Sequence, residues 1–439
     1  MLSIKSSKSF HFTFNAKQGI IKFGNNERKI EVCNGKVIFV KIYKVKIAAV
    51  MMIMILLSTL TGCTTFYNFK KAFIDKPQEK TATVQIGIYE PMSGLDSKDA
   101  EAEITGIELA NEVYPNVNGK IVELVYSDNA SDINAAETAI KDLVAKGPAV
   151  ILGSYGSVYS LIAGDCVYNA KIPAIAMTNT NPLVTKNNSY YFRVCYVDSN
   201  QGDLLAKYVL ESKKEKTAGV LLPENDDAAM ATATSFTDRM KAVTGDEDAI
   251  ISYEEYTAGD KDFSKQLAEI EKSGVKNVLL PGDMTDSANI IKQAKSMDLD
   301  VMFLGDNDWA SDEFKKLTEN YASKENIAFV NFFDAEEKTN EESEKFLEAY
   351  QEKYGKGSEP ENGTALGYDA YIVALDAIGK AGDDVSGEKV KEVLSGQNAF
   401  QGASGEIKFN NMGDPIKTAY ISTWENGEIL SIYTIKPTL

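Results

Sequence analysis

Two short polar segments, each placed directly after an apolar run, carry groups suited to holding an anion. The segment GSYGS at 153–157 follows the run 149–152 and opens a helical pattern, and MTNTNP at 177–182 ends the run 173–177. Free N–H groups at a helix N-terminus attract a carboxylate, and glycine lets the backbone approach it closely. Either segment can also be a turn whose hydroxyls and amides only satisfy the backbone. The residue types predict an anion site and leave this second interpretation open.

A third polar segment, GDNDW at 305–309, is acidic and follows the apolar run 301–304. The pattern D-N-D suggests a calcium loop. Such a loop needs a glycine and a distal glutamate at the EF-hand spacing, and the sequence has neither there. We therefore expect no metal at this segment.

The histidine and cysteine contents exclude most catalytic and metal chemistry. The 439-residue chain has one histidine, His11, and its four cysteines (Cys33, Cys63, Cys166, Cys195) form no CxxC pair. These counts argue against zinc sites, haem attachment and Ser-His-Asp or Cys-His catalysis, and we expect no cofactor. The formal charge of −18 repels phosphate backbones, so we expect no nucleic-acid partner. The composition predicts a binding protein, or an enzyme that uses only carboxylates, hydroxyls or lysines.

Strand and helix patterns alternate along the chain. Strands are predicted at 84–89, 121–126, 149–152, 173–177, 218–222, 250–256, 277–280 and 301–304. Helical patterns lie between them, and Ser131 is expected to cap one of these helices. This alternation is typical of βαβ units, so two blocks of it predict two doubly wound α/β lobes with mostly parallel sheets. Open α/β sheets bind ligands beyond the carboxyl ends of their strands, where the three polar segments stand.

The N-terminal region has the pattern of an export signal. The apolar run 47–57 is shorter than the roughly 20 residues of a bilayer span, three lysines precede it, and LTGC at 60–63 follows it. These features indicate a secretory signal peptide. LTGC resembles the lipobox of bacterial lipoproteins, which implies that Cys63 carries the lipid. The alternative is a plain signal peptide with a chance cysteine.

The signal divides the N-terminal region into three parts. Residues 40–62 are the predicted lipoprotein signal peptide and 63–82 a tether. Residues 1–39 are either a misassigned extension, with translation starting near Val40, or a cytoplasmic tail. Cys166 and Cys195 lie in apolar segments, where we expect buried free thiols, and a disulfide between them is the alternative.

Seven segments between Thr83 and about Gly427 occur in a specific order and spacing. They are IGIYEPMSG at 86–94, VILGSYGS at 150–157, KIPAIAMTNTNPLVT at 171–185, YFRVCYVDSNQG at 191–202, YTAGDKDFSKQL at 256–267, ALGYDAYIVALDAI at 365–378 and FQGASGEIKFNNMGDP at 400–415. Together they resemble the branched-chain amino-acid-binding family of periplasmic binding proteins. These are the solute receptors of ABC importers and have the type I fold.

The resemblance implies the domain arrangement and the partners. Two doubly wound parallel-sheet lobes are joined by a three-crossing hinge. Lobe 1 is then 83–197 plus 330–413, and lobe 2 is 198–329 plus 414–439. The implied partners are a small-molecule ligand, such as an amino acid, and an ABC permease in the membrane. The receptor itself is expected to be a monomer.

The resemblance also implies a carboxylate-binding set in lobe 1. In the family a serine and two further residues hold the ligand carboxylate with hydroxyl and backbone groups. Ungapped matching places Ser157 on that serine and Thr178 and Thr180 on the other two positions.

In lobe 2 the family pairs an acidic residue with the α-amino group of the ligand. The matching position is Asn307, flanked by Asp306 and Asp308, so the pairing carboxylate stays undecided. Trp309 is either an aromatic residue of the cleft or a core residue.

The chain departs from the family where the ligand side chain is usually contacted. Asp283 and Asp99 stand at positions that are commonly aromatic, and Asp227 lies in a third segment, PENDD at 223–227, without the usual aromatic. An unpaired carboxylate buried beside a methyl group costs several kcal/mol. If these acids face the ligand, it is polar or cationic rather than leucine, isoleucine or valine. The alternative is that they are solvated loop residues.

The sequence therefore predicts a lipid-anchored, extracytoplasmic solute-binding receptor of an ABC importer that does no chemistry. A ligand-sensing subunit of a membrane signalling receptor would have the same fold. A carboxylate-dependent amidase is a third alternative, against which the missing histidines and the absence of a GxSxG elbow argue.

Overall fold

The computed structural model describes residues 82–437 and three short strands at 12–15, 20–23 and 26–29. These strands, β1 (Phe12–Asn15), β2 (Ile20–Phe23) and β3 (Asn26–Lys29), form an antiparallel sheet in chain order. The chain divides into two compact units, residues 1–80 and 81–439. The predicted signal peptide and Cys63 lie outside the described residues.

A six-stranded sheet organises the first part of the larger unit. Its strands are β4 (Thr83–Glu90), β5 (Asn116–Val117), β6 (Lys120–Asp128), β7 (Val150–Gly153), β8 (Ala174–Ala176) and β9 (Tyr191–Arg193). Their spatial order is β5-β6-β4-β7-β8-β9, and every pair except β5–β6 is parallel. Parallel neighbours need crossovers. Three helices supply most of them: α1 (Ser97–Val113), α2 (Ile133–Ala145) and α3 (Ser157–Ala170).

The following segment supplies five parallel strands and five helices. The strands are β10 (Ala218–Pro223), β11 (Ile250–Tyr256), β12 (Asn277–Leu279), β13 (Met302–Gly305) and β14 (Ile327–Asn331). The helices are α4 (Asp198–Lys207), α5 (Asp227–Thr244), α6 (Ser264–Ser273), α7 (Met284–Ser296) and α8 (Asp312–Thr318). A π-helical segment, Tyr208–Lys213, continues α4.

The C-terminal elements extend the second sheet and add a small third sheet. They are α9 (Glu341–Tyr354), α10 (Asn362–Ala381), α11 (Gly387–Leu394), β15 (Phe400–Gly402), β16 (Gly405–Phe409), β17 (Pro415–Ile416), β18 (Ala419–Glu425) and β19 (Glu428–Ile435). Strands β18 and β19 join antiparallel to β14, which gives a seven-stranded sheet of order β11-β10-β12-β13-β14-β18-β19. Strands β15 to β17 form a small separate antiparallel sheet.

Close packing of α10 against α1 fixes the position of α1 over the first sheet. A Cβ atom at Gly106 would lie 2.0 Å from the Thr364 carbonyl oxygen, and one at Gly367 would lie 2.1 Å from the Glu103 carbonyl oxygen. Only glycine tolerates that approach. The two helices therefore meet at backbone distance, which places Glu103 of α1 beneath the carboxyl ends of the strands.

The predicted class, an α/β protein with two parallel-rich sheets, is confirmed, and some local predictions are corrected. The cap of α2 is Asp132, whose carboxylate accepts from the N–H groups of Asn134 and Ala135, whereas Ser131 has a left-handed φ of 52° and precedes it. Cys166 and Cys195 are both free thiols, so the disulfide alternative is wrong. Trp309 is fully buried and stacks on Phe314, which assigns it to the core.

Candidate ligand-binding site

The first polar segment turns the chain from β7 into α3. Gly156 has a left-handed φ of 81°, a conformation that suits glycine. Ser157 follows as the first residue of α3 and is half-buried. Its position combines a hydroxyl with the positive end of the helix dipole, so this point of lobe 1 suits a carboxylate.

The second polar segment directs its hydroxyls toward the protein's own carboxylates. Thr178 donates its hydroxyl to Glu103, and its N–H faces the same carboxylate. The Thr180 hydroxyl faces Asp198, and the Thr180 carbonyl accepts from the Asp198 N–H at 3.0 Å. Two of the three residues that the sequence assigns to a ligand carboxylate therefore have partners within the protein itself.

Buried polar side chains link the two segments. Ser160 donates to Asn179 at 2.8 Å and accepts from the Ser154 N–H at 3.1 Å. Asn129 in turn donates to the Ser154 hydroxyl at 2.7 Å. All four side chains are buried. A buried hydrogen-bond network therefore joins segments 153–157 and 177–182.

The acidic segment of lobe 2 is held by local hydrogen bonds. Asp306 accepts from the Asp308 N–H at 3.1 Å. Asn307 exchanges two hydrogen bonds of 2.9 Å with the buried Gln201 of α4 and donates to Asp308. The Asn307 side chain is thereby engaged at both its oxygen and its nitrogen and carries no charge, so the flanking carboxylates are the groups able to meet a cation.

Negative charge is concentrated at this segment. Burial raises the pKa of Asp306 well above its ordinary value, and Asp308 raises it further. The side chain of Asp308 is exposed, but the surrounding protein atoms desolvate its carboxylate and raise its pKa. Asp198 and, more weakly, Asp283 raise that pKa further. No cation of the described chain is among the groups that shift these two pKa values. A ligand cation would relieve this repulsion.

Tyr155 lies within electrostatic range of acids from both sheets. Its side chain is half-buried, and burial raises the pKa of its phenol. Asp99 and Glu103 from lobe 1, and then Asp308 from lobe 2, raise that pKa further. Asp308 of the segment 305–309 is therefore near enough to the Tyr155 phenol to act on its charge.

The three acids that depart from the family pattern have different surroundings. Asp283 is exposed and caps α7, accepting from the N–H groups of Thr285 at 2.8 Å and Asp286 at 3.0 Å. Asp99 is exposed in the first turn of α1, within range of Tyr155. Asp227 is exposed and lines a surface groove between α4 and α5.

Sequence reasoning did not identify Glu90, Glu103, Asp198 or Gln201. A weak signal exists for two of them. Glu90 ends an otherwise apolar strand, and Glu103 lies three residues after the buried Ala100 and four before the buried Ile107, on the inner face of its helix. A charged residue at such a position needs a partner, which the sequence does not name.

The described residues contain no cluster of three or more His, Cys, Asp or Glu side chains that could hold a metal ion. Across those same residues, no helix combines the length and apolar character needed to cross a membrane.

Residues 83–428 match the sequence profile of the periplasmic binding protein family, and the chain belongs to that family. This family comprises extracytoplasmic binding proteins and not enzymes. The resemblance deduced from the seven segments is therefore confirmed.

Two curated relatives illustrate the level of similarity. The leucine-, isoleucine-, valine-, threonine-, and alanine-binding protein of Pseudomonas aeruginosa is 26% identical over 337 residues, which cover 76% of this chain and 87% of the relative. The Leu/Ile/Val-binding protein homolog 2 of Brucella abortus is 24% identical over 355 residues, covering 79% of this chain and 92% of the relative.

Solved structures agree over the same region. The leucine-binding protein LivK of Thermotoga maritima is 29% identical with a TM-score of 0.69, and the match covers 81% of this chain and 99% of that one. The branched-chain amino acid transporter substrate-binding protein LivJ of Streptococcus pneumoniae, solved with isoleucine, is 28% identical with a TM-score of 0.68 and covers 81% and 100%.

Proposed function

We propose that this chain is the lipid-anchored, extracytoplasmic solute receptor of an ABC importer, and that it binds an amino acid or a related small polar solute between its lobes. The observation that carries the proposal is that Tyr155, two residues before Ser157 at the start of α3, lies within electrostatic range of Asp308 in the acidic segment 305–309. An anion-binding helix end opposite a carboxylate pair matches the two charges of a zwitterion.

Each lobe contributes one half of the ligand contacts. Ser157 and the start of α3 bind the carboxylate. Thr178 and Thr180 also donate to it, because the ligand competes with Glu103 and Asp198 for the two threonine hydroxyls. Asp308, assisted by Asp306, meets the ammonium group. Because the contacts are split between lobes, the ligand stabilises the closed arrangement over the open one.

The solute has a polar or cationic side chain. Asp99 and Asp283 lie near Tyr155 and Asp308 respectively, which places additional negative charge around the space that a side chain would fill. An aliphatic side chain would leave these carboxylates desolvated and unpaired, at a cost of several kcal/mol. An ammonium, guanidinium or amide group would instead be attracted to them.

The permease partner and the anchor follow from separate observations. The structural relatives include branched-chain amino acid transporter components, which supports delivery to an ABC permease. The LTGC segment at 60–63 supports lipid attachment at Cys63. Between Cys63 and β4 the chain has enough length to hold the binding unit away from the membrane surface.

A thermal-shift screen of the twenty amino acids, polyamines and short amides tests the proposal. A ligand at 100 times its Kd stabilises the folded state by about 2.7 kcal/mol, so a basic or amide compound is expected to raise Tm most. Ser157→Ala is expected to weaken that ligand by about 1–3 kcal/mol, because the ligand carboxylate loses a charge-assisted donor. Ser296→Ala, on the exposed last residue of α7, is the matched control.

Two outcomes would contradict parts of the proposal. Tight, selective stabilisation by leucine, isoleucine or valine would show that the aspartates face solvent. A radius of gyration unchanged by the selected ligand in small-angle X-ray scattering would argue for a site within one lobe. Stabilisation by none of the compounds would overturn the assignment to amino-acid-like solutes.

A further inference from the structure

Two glutamates lie side by side beneath the polar segments of lobe 1. Glu90 is the last residue of β4 and Glu103 lies in the middle of α1, and neither side chain has any exposed surface. Each glutamate is among the groups that shift the pKa of the other, so the two carboxyl groups are neighbours. Two ionised carboxylates offer only acceptors, so a hydrogen bond between them requires a proton.

The remaining oxygens of the pair are unsatisfied if both groups are ionised. Among the described residues, Oε1 of Glu90 and Oε2 of Glu103 are buried and have no donor. Buried acceptors without a donor are costly, and one proton held between the two oxygens would satisfy both.

Each glutamate also holds one of the two polar segments of lobe 1, residues 153–157 and 177–182, which we call the ligand segments. The second oxygen of Glu90, Oε2, accepts from the Tyr155 N–H at 2.6 Å. Oε1 of Glu103 accepts from the Thr178 hydroxyl. Gly153 allows this arrangement, because a Cβ there would lie 1.9 Å from the Tyr89 carbonyl oxygen and 2.7 Å from Oε1 of Glu90.

The other titratable groups that face the pair are Tyr89, Tyr155, Tyr191 and Cys195. Burial raises the pKa of each of them, so all four are neutral near pH 7. Two buried cations, Arg193 and Lys417, act on Cys195, and neither is among the groups that shift the pKa values of the glutamates. Arg193 is paired with Asp414 at 2.8 Å and Lys417 with Asp369 at 3.8 Å. No neighbouring positive charge in the described chain therefore compensates a second negative charge on the pair.

We propose that Glu90 and Glu103 share a single proton, and that this proton-bridged pair is the positioning element for both ligand segments of lobe 1. Losing the proton places two carboxylates against each other, which loosens the Tyr155 and Thr178 contacts together. The ligand affinity of lobe 1 then falls with rising pH, although neither glutamate touches the ligand.

The direction of the pH effect follows from linkage. Burial raises the pKa of Glu103 to about 7, and burial followed by Glu103 raises that of Glu90. The folded protein therefore holds a proton that the unfolded chain releases near the ordinary carboxyl pKa. Stability from this source is fully present below that ordinary value and is lost progressively as pH rises above it, toward the raised pKa values of the pair.

Thermal unfolding of the ligand-free protein between pH 4.5 and 8.5 tests this without knowledge of the ligand. Glu103→Gln keeps an acceptor for Thr178 and a donor for Glu90 but cannot titrate. Glu101→Gln, on the exposed face of the same helix, removes an equal charge. The fall in Tm with rising pH is expected to be about 2–4 °C smaller in Glu103→Gln than in Glu101→Gln.

Hydrogen exchange supplies a local measurement. Peptides covering 150–157 and 176–181 are expected to lose protection at pH 8.5, after correction for intrinsic rates, in wild type and Glu101→Gln but not in Glu103→Gln. Glu90→Gln serves as a second variant if Glu103→Gln does not fold. Equal Tm slopes in Glu103→Gln and Glu101→Gln, or unchanged exchange in both peptides, would overturn the proposal while leaving the receptor function untouched.

Discussion

Arg193 illustrates how one buried charge organises a loop. Its guanidinium has no exposed surface and donates to the carbonyl oxygens of Asn179 at 2.5 Å and Asn181 at 2.9 Å, and to the Thr185 hydroxyl at 2.9 Å. Asp414, which precedes β17, supplies the counter-charge. Through Arg193, the segment 177–182 is thereby linked to Asp414, a residue more than 200 positions later in the chain.

Removing the counter-charge is expected to be costly. Asp414→Ala leaves the Arg193 guanidinium buried and unpaired, which is expected to lower the free energy of unfolding by about 3–5 kcal/mol in urea titrations. Glu388→Ala removes the acidic partner of an exposed ion pair with Lys171 and is expected to change little. A small and similar effect of both substitutions would show that Asp414 is dispensable for holding Arg193.

At the scale of elements, Asp283 at the start of α7 can have two roles. As the N-cap residue it accepts from two backbone N–H groups, and as an acid it adds negative charge near Asp308. Asp283→Ala removes both roles, whereas Asp283→Asn keeps the cap and removes the charge.

Asp283→Ala is expected to lower the free energy of unfolding by about 1 kcal/mol, and Asp283→Asn by only a few tenths. With the cationic ligand found in the screen, Asp283→Asn is expected to weaken binding although its unfolding midpoint in urea is almost unchanged. Isothermal titration calorimetry measures this directly. Unaltered affinity in Asp283→Asn would assign Asp283 to capping alone.

At the scale of the whole molecule, Cys63 is expected to decide where the protein resides. A diacylated cysteine holds a protein firmly at a membrane, whereas a single chain gives marginal binding. Cys63→Ser is expected to move the protein from the membrane fraction to the medium, measured by immunoblotting of separated fractions.

Cys33→Ser is the matched control, because Cys33 precedes the apolar run and lies outside LTGC. Membrane retention of Cys63→Ser, at the level of the control, would contradict lipid attachment at this residue. It would leave the binding unit and its ligand predictions unaffected.

The sequence by itself determined the class of fold and the positions of the polar segments. Alternating apolar runs and helical patterns are local, so the strand at 250–256 could be placed to the residue and the strand at 218–222 to within one residue. In a parallel sheet all strand ends of one kind meet at one edge, which is why segments 153–157, 177–182 and 305–309 could be predicted to follow strands at a binding edge.

Only the tertiary structure decided which groups those segments meet. Thr178 lies 75 residues from Glu103, and the contact depends on how closely α10 lets α1 approach the sheet. Asp283 proved to be a helix cap and Asn307 a partner of Gln201, although the sequence presents both as ligand candidates. Periodicity indicates which face of an element is buried, but it carries no information on the distant side chain that packs against that face. Here that distant side chain determines whether a hydroxyl, amide or carboxylate is free to bind a ligand.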